Sequence, residues 1–116
     1  MPSFPENSKQ LVEILKETKC VILKFSASWC GPCKNQTFLK NYHDLKHNFE
    51  KNQDVLFLEF DVDEHEDIVN EKKLYNFNIS AVPTIKIFNF DKQMNEYKGI
   101  PNMSSIKKDI NTILTL

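Results

Sequence analysis

The chain has 116 residues, 41% of them apolar, which is enough to close one compact core and too few for two. Fifteen basic residues, all Lys, against sixteen Asp and Glu leave a net charge of -1 and exclude the basic footprint of a nucleic-acid or acidic-membrane binder. One domain over residues 1–116 is therefore expected, with no nucleic-acid and no membrane partner. The segment MPSFPENSKQ has no basic stretch leading into an apolar run, and nowhere do about eighteen apolar residues follow one another, so a soluble, unprocessed chain is expected. Three cysteines are too few and too odd for a secreted disulfide framework, which points to a reducing, cytoplasmic setting.

Taken in chain order, Met1 to Pro5 allow at most a short strand at a sheet edge, because Pro2 and Pro5 have no N–H for a ladder. Leu11, Val12 and Leu15 at helical spacing predict an amphipathic helix from Ser8, its N-cap, to about Lys19. Cys20 to Ser26 reads as a strand whose large apolar residues fall on both faces, the mark of a central strand covered on both sides. Phe38, Tyr42, Leu45 and Phe49 predict a long helix that begins near Pro32, a residue suited to a first turn. Val55 to Val62 reads as a second buried strand, and Glu66 to about Tyr75 as a shorter helix carrying Ile68, Val69 and Leu74. Thr84 to Phe88 and Met94 to Lys98 form an expected antiparallel hairpin around Asp91-Lys92, closing at Gly99. A last helix, Ser104 to Leu114, carries Ile106, Ile110 and Ile113 on one face. Helices alternating with buried strands make the chain α/β.

The chemistry is concentrated in Ser28-Trp29-Cys30-Gly31-Pro32-Cys33-Lys34. A C-x-x-C pair can be a passive staple, a metal clip or a working redox couple. Cys30, Cys33, His43 and His47 spell C-x2-C-x9-H-x3-H, superficially a zinc site. On one helix, however, Cys33 and His43 would stand ~15 Å apart, beyond the reach of one ion. The redox reading gives each position a cause. A helix N-terminus just after Cys30 offers free N–H groups and positive dipole to a thiolate. Gly31 permits a tight turn, Pro32 fixes the first helical torsion, and Cys33 lies within disulfide reach as the resolving thiol. Trp29 adds an apolar plate beside the sulfur.

The string WCGPCK after a buried strand resembles the thioredoxin family. The likeness extends to Phe25-Ser26-Ala27-Ser28-Trp29, Phe60-Asp61-Val62-Asp63, Val82-Pro83-Thr84 and Gly99, in order across most of the chain. The resemblance implies a central twisted mixed β-sheet flanked by helices on both faces. It implies a dithiol–disulfide oxidoreductase that reduces client-protein disulfides through a mixed disulfide at Cys30, resolved by Cys33. It further implies a cis-proline at Pro83 with Val82 offering its backbone to substrate, an Asp63 that holds the Trp29 indole, and Gly99 and Ile100 completing an apolar platform. By the same resemblance the partners are disulfide-containing client proteins and an NADPH-dependent flavoprotein reductase. The protein itself is expected to be a monomer that binds no cofactor and no metal.

Lys24 departs from the family pattern, which has a buried Asp six residues before the first Cys. Glu59 on the neighbouring strand is the expected partner of this buried ammonium. From that follows the hypothesis that Lys24 favours the thiolates by charge while Glu59 takes the proton-accepting role. The rival reading is a thioredoxin-fold adaptor that uses the Trp29–Pro83 platform for binding, with weak turnover. Phe38 replaces a kinking Pro, so a straighter helix is expected, and Asp91 stands where the family has its hairpin Gly, which Asp fits by entering a left-handed turn. Cys20, at the far end of its strand, is expected to be a buried small apolar residue that does not pair with the C-x-x-C cysteines.

Overall fold

In the computed structural model the described residues are 4–69, 77 and 79–116. Their elements run α1 (Ser8–Glu17), β1 (Cys20–Ser26), a single 3-10 turn (Pro32–Lys34), α2 (Gln36–Phe49), β2 (Val55–Asp61), α3 (Glu66–Val69), β3 (Thr84–Asn89), β4 (Lys92–Lys98) and α4 (Met103–Leu114). The sheet order among the described residues is β2-β1-β3-β4. β1 pairs parallel with β2 and antiparallel with β3, and β3 pairs antiparallel with β4, so the sheet is mixed.

Alternation along β1 divides the core into two layers. Val21, Leu23 and Phe25 point to one face, where Leu11 and Leu15 of α1 and Ile68 and Val69 of α3 cover them. Cys20 and Ile22 point to the other, under Phe38, Tyr42, Leu45 and Phe49 of α2 and the three isoleucines of α4. This is the period-two pattern of a strand buried on both sides, and it places helices on both faces of the sheet.

Several sequence expectations need correction. The N-cap of α1 is Asn7, whose Oδ1 accepts the Gln10 N–H at 2.9 Å, while Ser8 is the first helical residue and is buried. The helix expected from Pro32 is broken at Asn35, whose backbone (φ -58, ψ 122) is not helical. Asn35 caps α2 instead, accepting the Phe38 N–H at 2.9 Å, so Phe38 lies in the first turn and the question of a kink there does not arise. β2, expected as a buried strand, is only partly so: Leu58 and Phe60 are buried, but Val55, Leu56 and Phe57 are half-buried, and among the described residues β1 is its one strand neighbour. In the two-residue hairpin loop the left-handed residue is Phe90 (φ 51), not Asp91, with the Phe90 N–H donating to the Lys19 carbonyl at 2.9 Å. Of the first residues, Phe4 and Pro5 form no strand, and Met1 to Ser3 lie outside the described residues. The predicted third helix is present as far as Val69; its continuation to Tyr75, including Leu74, also lies outside them.

Candidate functional site

The site forms where β1, β2 and β3 end together. After Ser26 the chain leaves the sheet through Ala27, and the Ala27 carbonyl accepts the Cys30 N–H at 3.1 Å, turning the backbone toward the 3-10 turn. Cys30 and Cys33 are joined as a disulfide with Cα atoms 5.4 Å apart. The Cys33 N–H donates to Cys30 Sγ at 3.2 Å. The donor to this sulfur thus comes from the short 3-10 turn and not from the N-terminus of α2, a correction to the expected long helix.

Gly31 has ordinary right-handed backbone (φ -60, ψ -54), and a Cβ there would meet nothing within 4 Å. The turn therefore does not require glycine, contrary to expectation. The residue instead leaves the space beside the disulfide open. Pro32 opens the 3-10 turn, where its missing N–H costs no hydrogen bond.

Across from the disulfide, the Val82–Pro83 peptide bond is cis. The Val82 carbonyl oxygen lies 3.5 Å from Cys30 Sγ. β3 starts only at Thr84, so Val82 stands beyond the end of the ladder. Gly99 donates its N–H to the Pro83 carbonyl at 2.8 Å and has φ 84, a conformation that favours glycine. Ile100 follows it as an exposed apolar side chain.

Trp29 is 68% exposed, yet its indole is fixed, because Nε1–H donates to Asp63 Oδ2 at 2.8 Å. Asp63 is itself positioned by Asp61, which accepts the N–H groups of Glu64 and Asp63 at 3.0 and 2.9 Å. These bonds, that from Glu64 first, hold the Asp61 carboxyl below the usual carboxylate range. A groove of about 280 Å³ runs from Trp29 to Val82, with Asp63 and Glu66 on its rim.

Lys24 Nζ lies 2.8 Å from Glu59 Oε1, its direct cross-strand neighbour, and only 5% of the residue is exposed. The ammonium also sits 4.6 Å from the Tyr42 ring centre and 5.4 Å from that of Phe38. Lys46 Nζ takes the other Glu59 oxygen at 2.8 Å. Burial pushes the Glu59 carboxyl up, but the hydrogen bonds and charges of Lys24 and Lys46 outweigh it and hold the group below its ordinary value. A carboxylate held ionised by two ammonium groups is a poor proton acceptor, which removes the physical support for that role at Glu59. The second lysine escapes a sequence pattern that pairs strand with strand, because Lys46 comes from α2.

Cys20 is fully buried and free, its thiol pushed up to about 12 by burial and then by the charge of Asp109. His43 and His47 are exposed on α2, and among the described residues no group of three or more His, Cys, Asp or Glu could hold a metal ion.

Comparison with known proteins agrees with this geometry. The family model described as Thioredoxin matches residues 4–112. Human thioredoxin is 33% identical over 96 residues, spanning 83% of this chain and 81% of its own. Thioredoxin of Geodia cydonium is 30% identical over 112 residues, 95% of this chain and 96% of its own. Among solved structures, oxidised mitochondrial thioredoxin 3 of Saccharomyces cerevisiae superposes with a TM-score of 0.72 at 25% identity, covering 95% of this chain and 93% of that one. Oxidised thioredoxin of Plasmodium falciparum gives 0.67 at 26% identity, covering 97% of each. The chain belongs to the thioredoxin family and is a protein dithiol–disulfide oxidoreductase.

Proposed function

We propose that Cys30 is the attacking thiol and Cys33 the resolving one. In the reduced protein the Cys30 thiolate attacks one sulfur of a client disulfide, forming a Cys30–client bond and releasing the other client sulfur as a thiolate. The Cys33 thiolate then attacks Cys30 Sγ. The Cys30–Cys33 disulfide forms, the second client sulfur leaves, and two electrons have passed to the client, whose two thiolates take up two protons. The observation that carries this assignment is the Cys33 N–H donating to Cys30 Sγ, since a donor aimed at that sulfur stabilises it as an anion.

Val82 stands beyond the ladder and beside Cys30 Sγ, which supports its role as the backbone docking point for an extended client segment. Trp29, Pro83, Gly99 and Ile100 would flank that segment as an apolar rim. Family membership supports an NADPH-dependent flavoprotein reductase as the electron source, and with it a place in cellular electron transport. A free buried thiol at Cys20 is in keeping with a monomer working in the reducing cytoplasm.

Insulin disulfide reduction with dithiothreitol tests the assignment. Cys30→Ser should abolish the catalysed rate. Cys33→Ser should leave a trapped mixed disulfide at Cys30, visible by mass. Wild-type turnover in the Cys30→Ser variant would remove the attacking role from Cys30, and trapping at Cys33 would reverse the two roles.

A further inference from the structure

Among the described residues the charged side chains lining the groove beside Trp29 are both acidic. Residues 61–67 hold five acidic side chains and no lysine. Asp61 is used up in its own turn, but Asp63 and Glu66 line the groove together with Trp29, Ile79, Ala81 and Val82. Among the described residues no cationic side chain lines it. Asp63 spends only Oδ2 on the indole, and Glu66 has no ion-pair partner among the described residues. Trp29 is largely exposed, and its N–H is bonded to Asp63.

We infer that this groove selects client segments with a cationic residue beside the cysteine under attack. The inference rests on the oxidoreductase reading above and names its substrate class. Val82 links the two places: its carbonyl touches Cys30 Sγ, and its other side lines the groove. Successive residues of an extended client advance about 3.3 Å, so a side chain one or two positions from the client cysteine falls into the groove. A cationic side chain there meets the Trp29 ring and the carboxylates of Asp63 and Glu66. An acidic client residue would meet like charge from Asp63 and Glu66.

The test uses three synthetic peptides, each joined through its cysteine to the same uncharged reporter thiol and differing only in Arg, Gln or Glu on either side of that cysteine. Single-turnover release by the pre-reduced full chain is measured at about 0.15 M salt, where the Debye length is ~8 Å. The Arg peptide should react about fivefold faster than the Gln peptide and the Glu peptide slower than both, with the spread closing at high salt. The Arg-to-Gln ratio is then compared between proteins. Glu66→Lys should bring it to one or below, while Asp67→Lys, outside the groove, should leave it close to the wild-type value. Equal rates for the three peptides in the wild type overturn this inference alone, as does an equal loss of preference in Asp67→Lys. Failure of the wild type to reduce any of the three overturns the oxidoreductase reading and this inference with it.

Discussion

Among the described residues two lysines are buried in the sheet, one on each face, and they are built alike but supported differently. Lys24 and Lys86 lie on the inner strands β1 and β3 and are each 5% exposed. Each forms a 2.8 Å ion pair with the glutamate directly opposite on an edge strand, Glu59 on β2 and Glu96 on β4. An edge strand keeps its carboxylate in contact with water while the neighbouring lysine stem is covered, which is how a four-stranded sheet accommodates a charge on an inner strand. The difference lies in the remaining contacts. Lys86 also donates to Gln93 Oε1 at 3.0 Å, a second oxygen from β4. Lys24 has aromatic faces instead, and its glutamate is shared with Lys46.

Removing the carboxylates should separate the two most strongly. Stripping one partner from a buried pair costs about 3–5 kcal/mol, and the exposure of Glu59 lowers this to about 2 kcal/mol for Glu59→Ala. Glu96→Ala should cost about 1 kcal/mol, because Gln93 still holds Lys86. Urea unfolding at neutral pH measures both, and equal losses would break the comparison. Its pH dependence sharpens it. Glu59 is held below its ordinary value of 4.5, so its stabilisation is fully present above that pH and is lost as pH falls through the folded value. The gap between wild type and Glu59→Gln should therefore close as pH falls below 4.5.

Removing the lysines comes next. Met at either position replaces a buried charge with apolar volume, so stability should move by less than about 1 kcal/mol in each case. The thiols should tell the two apart. Lys24 lies on the face covered by α2, the helix that follows the redox turn, while Lys86 is across the strand from Leu23 of the opposite layer. Loss of the Lys24 charge should move the pH profile of iodoacetamide alkylation upward by about half a unit. In Lys86→Met the profile should superimpose on the wild type. Superimposable profiles in both variants would take Lys24 out of the redox chemistry.

The smallest effect is expected at Tyr42. Its hydroxyl is buried with no hydrogen-bond partner among the described residues, and burial first, then the charge of Glu59, pushes its pKa well above the usual tyrosine value. Tyr42→Phe should therefore change stability by no more than about 0.5 kcal/mol in urea unfolding. Tyr97, whose hydroxyl is bound by Asp109 and Asn95, gives the contrast: its Phe variant should cost about 1 kcal/mol.

Much of this was legible in the sequence because periodicity and cross-strand pairing are local rules. β1, the hairpin strands and α4 follow directly from the alternation of Val21-Ile22-Leu23 and the spacing of Ile106, Ile110 and Ile113. Glu59 was legible as the partner of Lys24 from its place on the neighbouring strand together with the family resemblance, and the register sets the two directly opposite. What was hidden depended on contacts between layers. Val55 to Val62 has the composition of a buried strand, and nothing local says that among the described residues only β1 flanks it. Asn35 can sit within a helix or cap one, and only the placement of Phe38 in the core selects the cap. Lys86 was a missed signal of a simpler kind, since a charge between Ile85 and Ile87 on an inner strand already announces a buried pair.

The cap at Asn35 has one more implication. The first N–H bonds of α2 end on Asn35 itself, from Phe38 to its side chain and from Leu39 to its carbonyl. None reaches back to Cys33. The redox turn and α2 are thus separate hydrogen-bonded units, and the helix that seats Phe38 and Tyr42 in the core is tied to the sulfurs through the backbone of Lys34 and Asn35 and not through a shared helical ladder.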